Sequence, residues 1–279
     1  MTSTLHVPRT LDEALSLLSG GTLVPLAGGT WVMRAPLRAE PWAEGYVAVA
    51  GLPELRIREH GTAELRLGAG LTHAETADAT RTAPDLRALH QAAAHSANPG
   101  IRQRATLGGN LSTVRFPAPD LVTALLCLEA RVVAADGTEA SVTDHLTSRD
   151  ASLVTGVVLP RTTARTGHAR LPLRRAGDYP VAIVSVALVT EEDGTVREAR
   201  VAVGSVEPVP RRWPEAERLL LGRPSTPAAA KEAAVACAGS IRGRDGVDAP
   251  GWYRERVLPT LLARAVTAAV EPETARRAA

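Results

Sequence analysis

Two short glycine pairs place the strongest constraint on what this chain can fold around. The first is Ala27-Gly28-Gly29-Thr30 and the second is Thr106-Leu107-Gly108-Gly109-Asn110. Adjacent glycines carry no Cβ, so the backbone can run close to a large group, and the flanking Thr and Asn add side-chain hydrogen bonds. Successive backbone N–H groups in such a loop form a concavity that binds an anion. Two of these loops in one chain predict a dinucleotide whose pyrophosphate is held from both sides.

Other cofactor and catalytic motifs are missing from the sequence. No G-x-G-x-x-G follows a strand, which disfavours a Rossmann dinucleotide fold, and no P-loop, H-E-x-x-H or G-x-S-x-G is present. No pair of carboxylates and no Ser/His pair stands out. Taken alone, either glycine pair would also fit a tight connection between a strand and a helix. The chain therefore offers cradles for a cofactor but few candidates for an acid, a base or a nucleophile.

Composition narrows the class of protein. The 279 residues suffice for roughly two domains, and an aromatic fraction of 3% disfavours a stacking platform for single-stranded nucleic acid. With 32 basic and 30 acidic residues, the net charge of +2 indicates no general attraction to DNA or to anionic membranes. Cys127 and Cys237 stand in Ala/Leu-rich stretches and are expected to be buried, so this chain alone cannot hold an iron–sulfur cluster. No signal peptide and no apolar run of the roughly 20 residues that a membrane span needs is apparent, which predicts a cytoplasmic protein.

Periodicity and turn residues predict a mixed α+β chain. A capping box at Thr10-Leu11-Asp12-Glu13 opens the first helix, and a polar segment at 161–167 is the predicted domain boundary. Beyond that boundary, an apolar run predicts a long buried strand at 181–189, which turns at Asp193-Gly194. The remaining helices are predicted at 214–221, 227–238 and 252–270, the last of them interrupted at Pro259.

Two groups of polar side chains have alternative interpretations. His73, His90 and His95 lack the spacing of a metal site, so we expect surface or core histidines there. Asp120 opens a predicted helix, where a carboxylate complements the positive end of the helix dipole. It could equally hydrogen-bond a ribose or another polar group of a nucleotide.

Several segments, taken in order along nearly the whole chain, match one known pattern. They are Pro8–Leu18, Ala27–Thr30, Leu67–Thr72, Asn98–Arg102 with Ala105–Asn110, Arg174–Tyr179 and Val203–Val206. The most specific of them runs from Ile101 to Asn110 and reads I-R-x-x-A-T-L-G-G-N. Together they resemble the FAD-binding medium subunit of the xanthine dehydrogenase and carbon monoxide dehydrogenase family of molybdenum hydroxylases.

This resemblance implies an α+β fold with a two-lobed FAD-binding domain of the vanillyl-alcohol-oxidase type and a C-terminal α/β flavoprotein cap domain. The FAD-binding domain would span 1–163, with lobes of about 1–55 and 56–163, and the cap domain would span 168–275. The residues that it implies for binding FAD are Ala27, Gly28, Gly29, Thr30, Trp31, Thr106, Gly108, Gly109, Asn110, Asp120, Arg170 and Arg174. It assigns no metal ligand, acid or base, because the flavin ring itself carries the redox chemistry.

In that family the subunit takes electrons from a 2Fe–2S subunit and passes them through FAD to an external acceptor, while a large molybdopterin subunit hydroxylates the substrate. The resemblance therefore implies a heterotrimer, or its dimer, with those two partner subunits. Two alternatives stay open. One is a stand-alone FAD oxidase or dehydrogenase for a small molecule, whose pocket would be lined by Trp31, Arg115, Phe116 and Tyr179. The other is a binding or scaffold protein that has lost the flavin, for which the bulky Trp31 is the best support.

Overall fold

The chain divides into two compact units, each assembled from separate stretches. The computed structural model describes residues 3–113, 116–148, 152–173 and 179–271. The first unit takes in Met1–Thr76, Pro99–Phe116 and Ala130–Pro160, and the second takes in Ala77–Asn98, Pro117–Glu129 and Arg161–Ala279. The domain ranges expected from the sequence, 1–163 and 168–275, are contiguous and stay a prediction.

The secondary structure mixes strands and helices throughout. In chain order the strands are β1 (Thr4–His6), β2 (Leu23–Leu26), β3 (Gly45–Ala48), β4 (Arg58–His60), β5 (Glu64–Gly68), β6 (Arg131–Ala134), β7 (Glu139–Ser141), β8 (Val154–Pro160), β9 (Arg165–Pro172), β10 (Pro180–Thr190), β11 (Val196–Gly204) and β12 (Arg211–Arg212). The helices are α1 (Leu11–Leu18), α2 (His73–Thr80), α3 (Arg87–His95), α4 (Pro99–Arg102), α5 (Leu107–Ser112), α6 (Asp120–Cys127), α7 (Val142–Ser148), α8 (Pro214–Leu220), α9 (Pro227–Ala236) and α10 (Gly251–Val270). Short 3₁₀ helices lie at Val32–Arg38, Pro53–Leu55, Pro84–Leu86 and Ala238–Ser240. Within the described ranges, no helix is long and apolar enough to cross a membrane.

Two sheets organise the first unit. One is a parallel sheet in the order β1-β3-β2, and the other is antiparallel in the order β4-β5-β8-β6-β7. The helix α1 joins β1 to β2 and begins after Thr10, whose side-chain oxygen accepts a hydrogen bond from the Glu13 N–H at 3.2 Å. The predicted N-cap at Thr10 is thereby confirmed, since this bond satisfies one of the N–H groups that a helix leaves open at its start. The reciprocal bond differs from that of a full capping box, because Glu13 Oε2 accepts from the Arg9 N–H, at 2.8 Å, one residue before the N-cap.

One antiparallel sheet, in the order β12-β11-β10-β9, organises the second unit. Alternate residues of β10 face opposite sides of this sheet, and Ala182, Val184 and Val186 share one core with α8, α9 and α10. The helix α6 also packs on β10 and β11, and α3 packs on β9. A strand that is covered on both faces is apolar almost throughout. This explains the unbroken apolar run at 181–189, and both the predicted strand and its turn at Asp193-Gly194 are confirmed.

The last helix, α10, is continuous, so the predicted interruption at Pro259 is wrong. A proline inside a helix removes one backbone hydrogen bond and crowds the preceding turn. On either side of it, Leu258, Leu261 and Leu262 are almost fully buried in the core of the second unit. The free energy gained by burying these side chains outweighs the local cost of the proline.

Candidate functional site

The first glycine pair follows β2 and lies against the chain that leads into the second pair. A Cβ added to Gly28 would stand 1.8 Å from the carbonyl oxygen of Arg104 and 3.1 Å from Cα of Ala105. Only a glycine permits that approach, because the separation is far shorter than an ordinary contact. The first glycine segment therefore lies, inside the first unit, against the residues just before the second one, although the two are far apart in sequence.

Three consecutive N–H groups of the first segment have no acceptor among the described residues. They belong to Gly28, Gly29 and Thr30, which are half-buried and lie outside any helix or strand. Gly29 has a φ of +69°, in the left-handed region that glycine adopts readily. A left-handed residue within such a turn makes neighbouring N–H groups converge, as in anion-binding nests. The segment accordingly fits a diphosphate group.

The second glycine pair is not the open loop that the sequence predicts. Gly108 and Gly109 lie in the first turn of α5, with Thr106 as the N-cap. The Gly109 N–H donates to Thr106 Oγ1 at 3.1 Å, and the Gly108 N–H donates to the Ala69 carbonyl oxygen at 2.8 Å. The Asn110 N–H donates to the Thr106 carbonyl oxygen at 2.9 Å. The expectation of a second nest of free N–H groups is therefore wrong, because these donors are already used within the protein.

Close packing is the role that the structure does show for the second glycine pair. A Cβ on Gly108 would lie 2.7 Å from Cβ of Ala69. Beside this contact, the Leu107 N–H donates to the Leu71 carbonyl oxygen and the His73 N–H donates to the Ala105 carbonyl oxygen, both at 2.8 Å. The segments 27–30, 69–73 and 104–110, which overlap three of the segments that carried the sequence resemblance, thus form one assembly in the first unit.

Trp31 lies at the end of the first glycine segment and is held by two other side chains. The guanidinium carbon of Arg38 stands 4.0 Å from the centroid of the indole ring. The Phe116 ring lies 4.9 Å from it, centroid to centroid, at an angle of 48°. Two of the four side chains proposed for a substrate pocket are thus in mutual contact. Arg115 lies outside the described residues, and Tyr179 lies in the second unit, where it is 37% exposed.

In the second unit, Asp120 and Arg170 bind each other. Asp120 is the first residue of α6 and only 5% exposed, and its Oδ1 lies 2.8 Å from Arg170 Nε. Burial alone would raise the pKa of Asp120, but the neighbouring His168 and the charge of Arg170 outweigh it and leave that pKa below its ordinary value. The position in the first turn also agrees with the helix-dipole interpretation. Arg174, the alternative cofactor residue, lies outside the described residues.

Sequence reasoning missed a buried polar network around His168. Its Nδ1 lies 2.9 Å from Ser185 Oγ, its Nε2 lies 3.8 Å from Asp120 Oδ1, and its backbone N–H donates to Gln91 Oε1 at 2.9 Å. Ser185 is fully buried, so this is a core hydrogen-bond network rather than a nucleophile with its base. The available signal was one serine inside the apolar run of β10, since a buried hydroxyl requires a partner.

Comparison with known proteins bears on the whole chain. A family model for the FAD binding domain in molybdopterin dehydrogenase matches residues 1–162, and one for the CO dehydrogenase flavoprotein C-terminal domain matches residues 168–269. The nicotine 6-hydroxylase medium subunit of Paenarthrobacter nicotinovorans is 29% identical over 275 residues, covering 94% of this chain and 95% of that protein. The carbon monoxide dehydrogenase medium chain of Hydrogenophaga pseudoflava is 27% identical, covering 95% of this chain and 96% of that one. A solved structure of carbon monoxide dehydrogenase from the same organism superposes with a TM-score of 0.85 at 25% identity, covering 96% of this chain and 97% of that one.

Proposed function

Because this chain belongs to the FAD-binding medium subunits of the molybdenum hydroxylase family, we propose that it relays electrons from a 2Fe–2S partner subunit through FAD to an external acceptor. FAD is the cofactor of this family, and the α+β architecture predicted from the sequence is confirmed. The single observation that best supports the binding site is the run of three N–H groups at Gly28, Gly29 and Thr30 that have no acceptor among the described residues, around the left-handed Gly29.

In the proposed site, the first glycine segment holds the pyrophosphate. The three N–H donors of Gly28, Gly29 and Thr30 would bind phosphate oxygens, and the absence of Cβ atoms on the glycines lets the diphosphate approach the backbone. Ala27 and Trp31 flank these donors. The second segment would complete the cradle through its shape and the side chains of Thr106 and Asn110, with Gly108 and Gly109 allowing the close packing. Asp120, Arg170 and Arg174 stay predicted cofactor residues on the strength of the resemblance.

The residues present indicate what the cofactor and the protein would each contribute. When bound, the flavin ring supplies the capacity to take up and release electrons, one or two at a time. The chain supplies binding and orientation, and the buried Asp120–Arg170 ion pair and the His168 network stabilise the second unit. No reacting acid or base is assigned to this chain, which agrees with a relay rather than with substrate chemistry of its own.

Partner subunits are part of this proposal. The relatives are named as a medium subunit, a medium chain and an FAD-subunit, which are names for parts of larger enzymes. We propose a small 2Fe–2S subunit and a large molybdopterin subunit as the partners, in a heterotrimer or its dimer, and the cytoplasm as the compartment. The substrate of the whole enzyme is set by the large subunit and is not assigned from this chain.

The test is to purify the chain, release its flavin by denaturation and follow reoxidation after anaerobic photoreduction. We expect FAD, rather than FMN, and slow reoxidation by oxygen together with fast reoxidation by an artificial acceptor dye. A relay also predicts co-purification with two chains when the neighbouring genes are co-expressed. Rapid reoxidation that releases hydrogen peroxide, from a chain that binds no partner, would instead establish a stand-alone oxidase and overturn the proposal.

A further inference from the structure

The indole of Trp31 is fixed by a chain of contacts that starts at a carboxylate. Arg38 places its guanidinium over the indole ring at 4.0 Å, and its Nη1 donates to the Trp31 carbonyl oxygen at 3.0 Å. Glu40 holds that guanidinium in turn, accepting from Arg38 Nε at 2.9 Å and from Nη2 at 2.6 Å. Phe116 contacts the same indole at 4.9 Å between ring centroids. We call Trp31, Arg38, Glu40 and Phe116 the aromatic clamp.

This arrangement is more than a chance surface contact, because each group restrains the next. A guanidinium that stacks on an indole, donates to the backbone of the same residue and pairs with a carboxylate has its planar fork fixed on both edges. The Arg38 side chain is 22% exposed and that of Glu40 is 35% exposed, so the pair is partly shielded from water. Both the ring and the main chain of Trp31 are therefore held in one position.

The clamp acts at the end of the first glycine segment. The beginning of that segment is fixed by β2, where the Val49 N–H donates to the Leu26 carbonyl oxygen at 2.9 Å, and by the close approach of Gly28 to Arg104. Beyond the segment, the chain turns into the 3₁₀ helix, with the Arg34 N–H donating to the Trp31 carbonyl oxygen at 3.0 Å. The three N–H groups, which have no acceptor in the described part of the chain, thus lie between a strand on one side and the clamp on the other.

Because the segment contains two glycines, fixing its end matters for the affinity of an anion. Glycines have more backbone freedom than any other residue, and ordering them on binding costs affinity. A segment whose two ends are already fixed loses less entropy when an anion binds. Phe116 follows α5, so its contact also ties the first glycine segment to the chain that leaves the second.

We propose that the aromatic clamp is a positioning device, which holds the nest at Gly28, Gly29 and Thr30 in its anion-binding conformation and so sets the affinity for the diphosphate of FAD. This inference rests on the FAD site proposed above. Trp31 and Arg38 act through the backbone of the glycine segment, and Phe116 acts through Trp31.

The test measures dissociation constants of the full chain, stripped of its flavin, for FAD and separately for ADP, which carries the diphosphate without the flavin ring. Fixing the backbone of one residue changes an equilibrium constant by a factor on the order of ten. We expect Trp31→Ala and Arg38→Met each to weaken both ligands by about that factor, and Trp31→Phe, which keeps an aromatic face for Arg38, to restore most of the affinity. The matched control is Trp42→Ala, because Trp42 is 44% exposed and should leave both constants unchanged.

Three results would contradict the clamp. Weaker FAD binding with unchanged ADP binding in Trp31→Ala would mean that the indole touches the flavin ring directly. A double variant that loses roughly a hundredfold, the product of the two single losses, would mean that Trp31 and Arg38 act independently. Unchanged FAD binding in Trp31→Ala, alongside a clear loss in Gly28→Ala, would overturn the clamp alone. If the unaltered chain bound neither ligand, the proposed function would fall and the clamp with it.

Discussion

Replacing Gly28 with alanine tests the assembly of the two glycine segments most directly. The added Cβ would lie 1.8 Å from the carbonyl oxygen and 2.6 Å from the carbonyl carbon of Arg104. Ordinary contacts between such atoms are about 3.5 Å, so the two stretches of backbone must separate by roughly 1.7 Å. Both sides of this contact are main chain, so no side-chain rotation can relieve it.

Two effects of that separation can be estimated. Overpacking of this kind destabilises a fold by about 1–3 kcal/mol, which corresponds to a fall of roughly 5 °C in the melting temperature of a chain of this size. The same movement displaces the N–H groups of the nest by more than the tolerance of a hydrogen bond. Losing one hydrogen bond to a charged phosphate weakens binding by about 1.5–3 kcal/mol, or at least tenfold.

The assay is the ratio of flavin to protein absorbance after purification, together with thermal unfolding of the flavin-free chain. Gly51→Ala is the matched control, because a Cβ at Gly51 meets no atom within 4 Å. We expect normal flavin content in that control and little or no flavin in Gly28→Ala. If Gly28→Ala kept full FAD and an unchanged melting temperature, the close approach of the two segments would be refuted.

Three further predictions concern the second unit and the cysteines. Asp120→Asn should destabilise the chain by about 2 kcal/mol at neutral pH. Because the pKa of Asp120 is lowered on folding from an ordinary value of 3.8, the unfolded state takes up the proton first, so the wild-type chain loses this stability as the pH falls below about 4. The melting temperature should therefore fall less steeply with decreasing pH in Asp120→Asn than in the wild-type chain. Equal slopes in the two proteins would contradict this prediction. Arg254 is fully buried and donates hydrogen bonds to carbonyl oxygens of a strand and of loops. Arg254→Met should therefore lower the free energy of unfolding, measured in urea, by about 3 kcal/mol. Arg264→Met, at an exposed site, is the control and should leave that free energy unchanged. Burial raises the pKa of Cys127 to about 12 and that of Cys237 to about 11, so neither thiol should react with a thiol reagent at pH 8 in the native chain, and rapid labelling there would show that the packing is wrong.

Features set by neighbours in sequence were predictable. The Thr10 cap depends on a residue three positions away, and the turn at Asp193-Gly194 depends on a glycine with a φ of +85°. The long strand β10 also follows from its own composition, because a strand covered on both faces has no polar alternation. In each case the cause lies within a few residues of the effect.

Features that depend on distant partners were not predictable. Pro259 stays inside α10 because of packing on a sheet formed by residues far earlier in the chain. His168 and Ser185 find each other only when β9 and β10 pair, with Ser185 opposite His168 in the register. The two units are built from interleaved stretches, a property that no local pattern contains. Sequence periodicity reports which face of an element is apolar, and it does not report which element will cover that face.

Within the candidate site, the different roles of the two glycine pairs were also not predictable from the sequence. In sequence they are near equivalents, each a glycine pair with a threonine within two residues of it. They differ in whether their backbone N–H groups are hydrogen-bonded. The Ala69 carbonyl oxygen accepts from the Gly108 N–H, while nothing in the described part of the chain accepts from Gly28 or Gly29. A donor that is already bonded inside the protein gains little by binding a phosphate, because the first bond must be broken. The first pair is therefore the one that we expect to bind the diphosphate through its backbone, and the second pair serves by letting the chain that leads into α5 pack closely against the strand end at Ala69.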